Sequence, residues 1–162
     1  MIRKADITDL PDIVGIYNQA IISRSCTGDT VCFNTNERKD WFKYHDNIKT
    51  PIYVYENESK VIAYSLISSY RPGRQAFEDV GEISYYVDFF YHGKGVGSKM
   101  IEHIIQEAIN IGYRNLIAII LDCNKKSASL LEKNNFNIWG ILPNIANIDN
   151  NNYSHIYYGL HL

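Results

Sequence analysis

The period of the apolar residues changes near residue 90, and this change constrains the fold more than any other feature of the chain. Val80 to Asp88 is rich in β-formers and reads as a strand. From Val96 onward, Met100, Ile101, Ile104, Ile105, Ala108 and Ile109 fall on one face of a helix running from about Gly95 to Ile111, with Gly112 placed to end it. Between the two lies the glycine-rich turn His92-Gly-Lys-Gly-Val-Gly-Ser98. A strand that passes through such a turn straight into a helix aims backbone N–H groups and the positive helix end at one point. That geometry suits a phosphate or pyrophosphate.

The flanking segments read as an α+β frame. Ile2 to Ala5 is a short strand, and Thr8-Asp-Leu-Pro11 starts a helix with a Thr cap and a buried stripe at Leu10, Ile13, Val14, Ile16, Tyr17 and Ala20. Residues 23 to 35 form a surface loop, and Asn36 to Asn47 a second short helix. Ile52 to Glu56 and Lys60 to Tyr70 are strands of a hairpin, and Arg71 to Ala76 is a loop. Asn115 to Asp122 is apolar on both faces, as a central strand covered by helices should be. Lys125 to Asn134 is a further helix. Two last strands, Phe136 to Leu142 and Tyr153 to Leu162, are expected to be joined by an asparagine-rich loop, Asn144 to Asn152.

Composition narrows the function classes. With 162 residues the chain is the size of one domain. A net charge of −2 and the lack of a basic run argue against nucleic acid as a partner. The longest apolar stretches fall far short of the roughly 20 residues a membrane helix needs, and Met1 to Asp6 has no apolar signal core, so a cytoplasmic location and no membrane partner are expected. Cys26, Cys32 and Cys123 are odd in number and lack CxxC spacing, so neither structural disulfides nor a metal site is expected.

Spacing decides among phosphate loops. The Walker pattern requires GxxxxGK followed by Ser or Thr, but Lys94 is followed by Gly95. The dinucleotide fingerprint requires GxGxxG, whereas Gly93, Gly95 and Gly97 are spaced GxGxG. What remains resembles the acetyl-CoA loop of the GNAT superfamily of N-acetyltransferases, with His92 where that loop usually carries Arg or Gln. The likeness extends over nearly the whole chain. Ile2 to Leu10 resembles the family's first strand and helix, and Asn124 to Phe136 its later motif, with Asn135 in place of a glycine. Within the family the phosphinothricin and methionine sulfoximine type is most similar, through Ile16-Tyr-Asn18, Thr30 to Phe33, Trp41, Arg74 to Glu82 and Leu130-Leu-Glu132.

The resemblance implies a single-domain GNAT fold over residues 1–162, with a mixed, mostly antiparallel sheet of about seven strands flanked by about four helices. It implies acetyl-CoA as cofactor, held by Tyr85, Tyr86, Val87, His92, Gly93, Lys94, Gly95, Val96, Gly97, Ser98, Asn124 and Ser127. Glu82 matches the family's general base, and its apolar neighbours are expected to raise its pKa. A backbone N–H near Val87 is the natural donor to the negative charge developing on the thioester oxygen. Many relatives carry a Tyr or His where this chain has Leu131, so the group that serves the leaving thiolate stays open. Arg71 and Arg74 suit a carboxylate on the acceptor. Phe33 and Phe77 suit its apolar wall, Tyr153 lines the same mouth, and His155 is a second candidate for proton handling.

The expected activity is transfer of acetyl to the primary amine of a small amino-acid-like acceptor by direct attack, in a homodimer. Two alternatives stand beside it: acetylation of a protein N-terminus or a polyamine, and a non-catalytic acyl-CoA sensor.

Overall fold

The computed structural model describes residues 1–45 and 47–162. Seven strands, β1 (Ile2–Lys4), β2 (Ile52–Asn57), β3 (Lys60–Ser69), β4 (Val80–Val87), β5 (Asn115–Leu121), β6 (Asn137–Ile148) and β7 (Asn151–His161), form one sheet in the order β1-β2-β3-β4-β5-β7-β6. Every neighbouring pair is antiparallel except β4 and β5, which are parallel. The four helices are α1 (Leu10–Ile22), α2 (Lys39–Tyr44), α3 (Val96–Ile111) and α4 (Lys125–Lys133). This is the expected α+β architecture.

The strands bury both faces because helices cover both. On one face Leu10, Ile13 and Ile16 of α1 and Phe42 of α2 pack on Val54, Tyr64 and Leu66. On the other, Ile101, Ile104 and Ala108 of α3 and Leu131 of α4 pack on Ile67, Ile83, Leu116 and Ala118. Ile101 and Ile104 are fully buried, and each contributes about 1.5–3 kcal/mol through the area it removes from water. No helix among the described residues is long and apolar enough to cross a membrane.

Three local expectations change. The first cap is Asp6 rather than Thr8: its carboxylate accepts from Thr8 N at 2.9 Å while Asp9 reaches back to Asp6 N at 2.8 Å, a reciprocal arrangement that a hydroxyl at Thr8 does not provide. The second helix covers only Lys39–Tyr44, after a single tight turn at Asn36–Arg38; the expected stretch to Asn47 includes residue 46, outside the described residues. The asparagine-rich segment is a long hairpin rather than a loop, paired up to Ile148 and Asn151. Asp149 and Asn150 turn it with φ of 49° and 65°, a left-handed pair that Asn and Asp tolerate better than other side chains. Asn144, with φ of 53°, sits in a bulge between Leu142 and Ala146.

Candidate active site

β4 and β5 run together only over Val80–Glu82 and Asn115–Ile117. Beyond Glu82, β4 stays with β3 as far as Val87, while β5 stays with β7 as far as Leu121. The sheet therefore splits into a V with Glu82 at its vertex. The edge of β4 that faces β5 from Ile83 to Val87 has no strand partner among the described residues, so an extended molecule can pair with it. The split opens into a cleft of about 700 Å³.

The glycine turn forms one wall of this cleft. Gly93 and Gly95 have φ of 74° and 78°, the left-handed region that costs other residues roughly 1–2 kcal/mol. At Gly97 a Cβ would lie 2.9 Å from Leu130 Cδ2, so a larger residue there would push that leucine aside. His92, Gly93, Gly95, Val96, Gly97 and Ser98 all line the cleft, and the unpaired N–H groups of the first turn of α3 belong to this wall. The ring of His92 is held in place because the Val87 carbonyl oxygen accepts from its Nε2 at 3.0 Å. Lys94 does not line the cleft. It is exposed, with its ammonium 4.9 Å from the Tyr91 ring centroid.

The opposite wall is the start of α4. The Asn124 carboxamide oxygen accepts from Ser127 N at 3.2 Å and caps the helix, and Ser127 Oγ hydrogen-bonds the Tyr85 hydroxyl. Burial pushes the Tyr85 phenol up to about 12, so it stays protonated. Tyr85, Tyr86, Val87, Asn124 and Ser127 all face the cleft, as do Lys125, Lys126 and Lys133. The sequence reading passed over these lysines, although two of them directly follow a helix cap. It also passed over Cys26, which the 23–35 loop folds into the wall and which no sequence signal marks. Leu131 is wholly buried in the core, so this helix position presents no proton donor.

Strand register sorts the remaining candidates. Glu82 pairs with Ser68 on β3 and Ile117 on β5, and Ile117 pairs with Gly159 on β7. Alternation then places Ser84, Tyr86, Tyr157, His155 and Tyr153 on the Glu82 face, the one covered by α1. Glu82 is half-buried, and desolvation raises its pKa above the usual carboxylate value. Burial likewise lowers the pKa of His155. Phe33 stacks on Tyr17 with centroids 6.2 Å apart and borders a second cavity of about 410 Å³. Arg71 and Arg74 are exposed on the β3–β4 loop, where Arg71 lies 5.6 Å from the Tyr70 ring and Phe77 meets that ring edge-on at 5.9 Å. Neither arginine, nor Glu82, His155, Phe33, Phe77 or Tyr153, lines the large cleft; Glu82 stands at its closed end, next to the lining residue Ile83. Among the described residues no cluster of His, Cys, Asp and Glu forms a metal site.

Residues 18–136 match the model of a family described as the acetyltransferase (GNAT) family. YwnH of Bacillus subtilis, provisionally named a phosphinothricin acetyltransferase, is 38% identical over 152 residues, which are 94% of this chain and 93% of YwnH. The L-methionine sulfoximine/L-methionine sulfone acetyltransferase of Pseudomonas aeruginosa is 29% identical over 146 residues, 90% of this chain and 84% of that protein. Among solved structures, an N-acetyltransferase from Staphylococcus aureus superposes with a TM-score of 0.93 at 34% identity, covering 99% of this chain and 97% of that one. The provisionally assigned acetyltransferase yncA of Salmonella typhimurium, solved with its cofactor acetyl-CoA, superposes with a TM-score of 0.93 at 26% identity, covering 100% of this chain and 93% of its own.

Proposed function

Because this chain belongs to the acetyltransferase (GNAT) family, we propose that it transfers acetyl from acetyl-CoA to the primary amine of a small amino-acid-like acceptor by direct attack. The class of enzyme, an acetyl-CoA-dependent N-acetyltransferase, comes with the family. The acceptor class is supported by relatives named for phosphinothricin and for methionine sulfoximine or sulfone.

The observation that carries the reading is the split of β4 from β5 at Glu82, with a glycine-lined wall on one side and a half-buried carboxylate at the vertex. The residues fit acetyl-CoA. The open edge of Tyr85, Tyr86 and Val87 suits an extended pantetheine arm, the turn from His92 to Ser98 a diphosphate, and Asn124 and Ser127 the flank. Lys94 would act only from outside, while Lys125 and Lys126 add positive charge at the mouth. When bound, acetyl-CoA supplies an activated acyl carbon. Glu82 takes the ammonium proton that an α-amino group with a pKa near 8 carries at neutral pH. Its burial makes it a stronger base than an exposed carboxylate. A backbone N–H near Val87 would hold the acyl oxygen and offer a donor to negative charge there. Arg71 and Arg74, exposed on the β3–β4 loop, would meet the acceptor's carboxylate from outside the cleft, with Phe33, Phe77 and Tyr153 as its walls and His155 as a second proton acceptor.

A homodimer completes the reading. β6 is an edge strand without a single charged residue. Ile138, Trp139, Ile141, Leu142 and Ile145 stand on or beside it, each between 42% and 58% exposed. Natural edges normally carry charge against self-pairing, and a second copy covering this one explains its absence.

The test is a thiol-release assay with methionine sulfoximine, phosphinothricin, free amino acids and polyamines. Turnover of the first two or of free amino acids is expected. Turnover confined to polyamines or peptide N-termini rejects the acceptor class.

A further inference from the structure

Arg38 is held in an aromatic cage. Its guanidinium carbon lies 4.0 Å from the ring centroid of Trp41, 4.9 Å from that of Phe33 and 5.3 Å from that of Tyr17. The side chain is half-buried. Among the described residues it makes no ion pair and no hydrogen bond. Nearby acids are engaged elsewhere: Asp29 accepts from the Tyr17 hydroxyl at 2.5 Å, and Glu37 accepts from Asn34 N at 2.7 Å.

Aromatic faces satisfy the flat faces of a guanidinium but leave its in-plane N–H donors unused. A partly desolvated cation with free donors is costly unless an anion arrives from outside the fold. The cage reaches the cleft through one ring contact. Tyr17 meets Tyr86 edge-on at 5.0 Å, and Tyr86 shares a sheet face with Glu82 and lines the acetyl-CoA cleft. Arg71 and Arg74 are exposed by comparison, and water and salt weaken whatever pair they form.

We propose that Arg38 is the specificity-determining anchor for the acceptor's carboxylate, its rigid fork taking both oxygens while Trp41, Phe33 and Tyr17 fix its plane. This rests on the amino-acid-like acceptor argued above. Arg71 and Arg74 then act at the entrance, drawing the anion in.

The experiment compares L-methionine sulfoximine with its carboxamide as acceptors for the wild type, Arg38→Gln and Arg38→Lys. The ratio of kcat/KM for acid over amide should fall about 10- to 100-fold in Arg38→Gln, with the KM for acetyl-CoA unchanged. Arg38→Lys should recover part of the ratio, because it keeps the charge and loses the fork. A ratio that survives Arg38→Gln overturns the anchor and leaves the amino-acid reading standing, and an equal fall for both acceptors overturns it in favour of a packing role. A wild type that turns over polyamines and neither of these acceptors removes the acceptor reading, and the anchor with it. Should Arg38→Gln fail to fold, Trp41 emission in the Trp139→Phe protein gives a second readout. Methionine sulfoximine should change it and the carboxamide should not; no response to either overturns the proposal.

Discussion

The two sides of the V at Glu82 are built by different means. The donor side is almost all backbone: a free strand edge, two left-handed glycines and the first turn of α3, supplied by the continuous stretch from Ile83 to Ser98 with α4 as its flank. The acceptor side, as proposed, is almost all side chain, drawn from α1, the segment before α2, the β3–β4 loop and β7. A backbone surface depends little on side-chain identity, so His92 in place of another side chain should leave it able to bind. A side-chain surface can be retuned one residue at a time, which is where substrate choice belongs.

The sharpest way to break this contrast is Gly95→Trp. A side chain at a φ of 78° on the cleft wall should weaken acetyl-CoA binding at least about 100-fold, equivalent to roughly 2.7 kcal/mol, while far-UV circular dichroism stays native. Calorimetry that finds normal binding rejects the loop assignment. Glu82→Gln comes next. It should lower kcat by about 10²- to 10⁴-fold and remove the acid limb of the pH–rate profile, with acetyl-CoA affinity intact; near-normal rates from pH 6 to 9 reject the base. The same variant carries a stability signature of opposite sign. A carboxyl whose folded pKa is raised stabilises the fold below its unfolded pKa and loses that contribution as pH rises through the folded value. Gln removes the penalty of the ionised form, so the melting temperature at neutral pH should rise slightly; a fall would mean that Glu82 is held by a favourable contact.

Ile141→Asp tests the edge of the sheet rather than the cleft. Light scattering should find a monomer where the wild type is a dimer, and a wild type already monomeric rejects that assignment. The smallest effect is expected on the acceptor rim. Arg71→Gln with Arg74→Gln should raise the acceptor KM by less than about 3-fold at high salt. A larger, salt-resistant loss would move the carboxylate anchor from the cage to the rim.

The elements that could be read in the sequence share a local cause. The switch from strand to helix near residue 90, the left-handed Asn135 with φ of 65° and the αL end of α3 at Gly112 follow from side-chain period and backbone sterics within a few residues. The readings that changed depended on choices between competing local partners. Thr8 and Asp6 are both able caps, and only the reciprocal bond from Asp9 selects Asp6. The run from Asn144 to Asn152 is rich in Asn and Asp, yet cross-strand pairing confines the turn to Asp149 and Asn150. Arg38 has no mark in the sequence because its contact with Tyr17 comes from α1, far from it in the chain, while the arginines of the β3–β4 loop draw attention by sitting together.

By itself the sequence determined the glycine turn, the helix it feeds and therefore the donor side, because those properties are carried by bonds and sterics between near neighbours. Only the tertiary structure decided where β4 parts from β5, which side chains share the Glu82 face and which arginine is stacked among aromatic rings. Those depend on register and burial, and register and burial are set by residues brought together from the whole length of the chain.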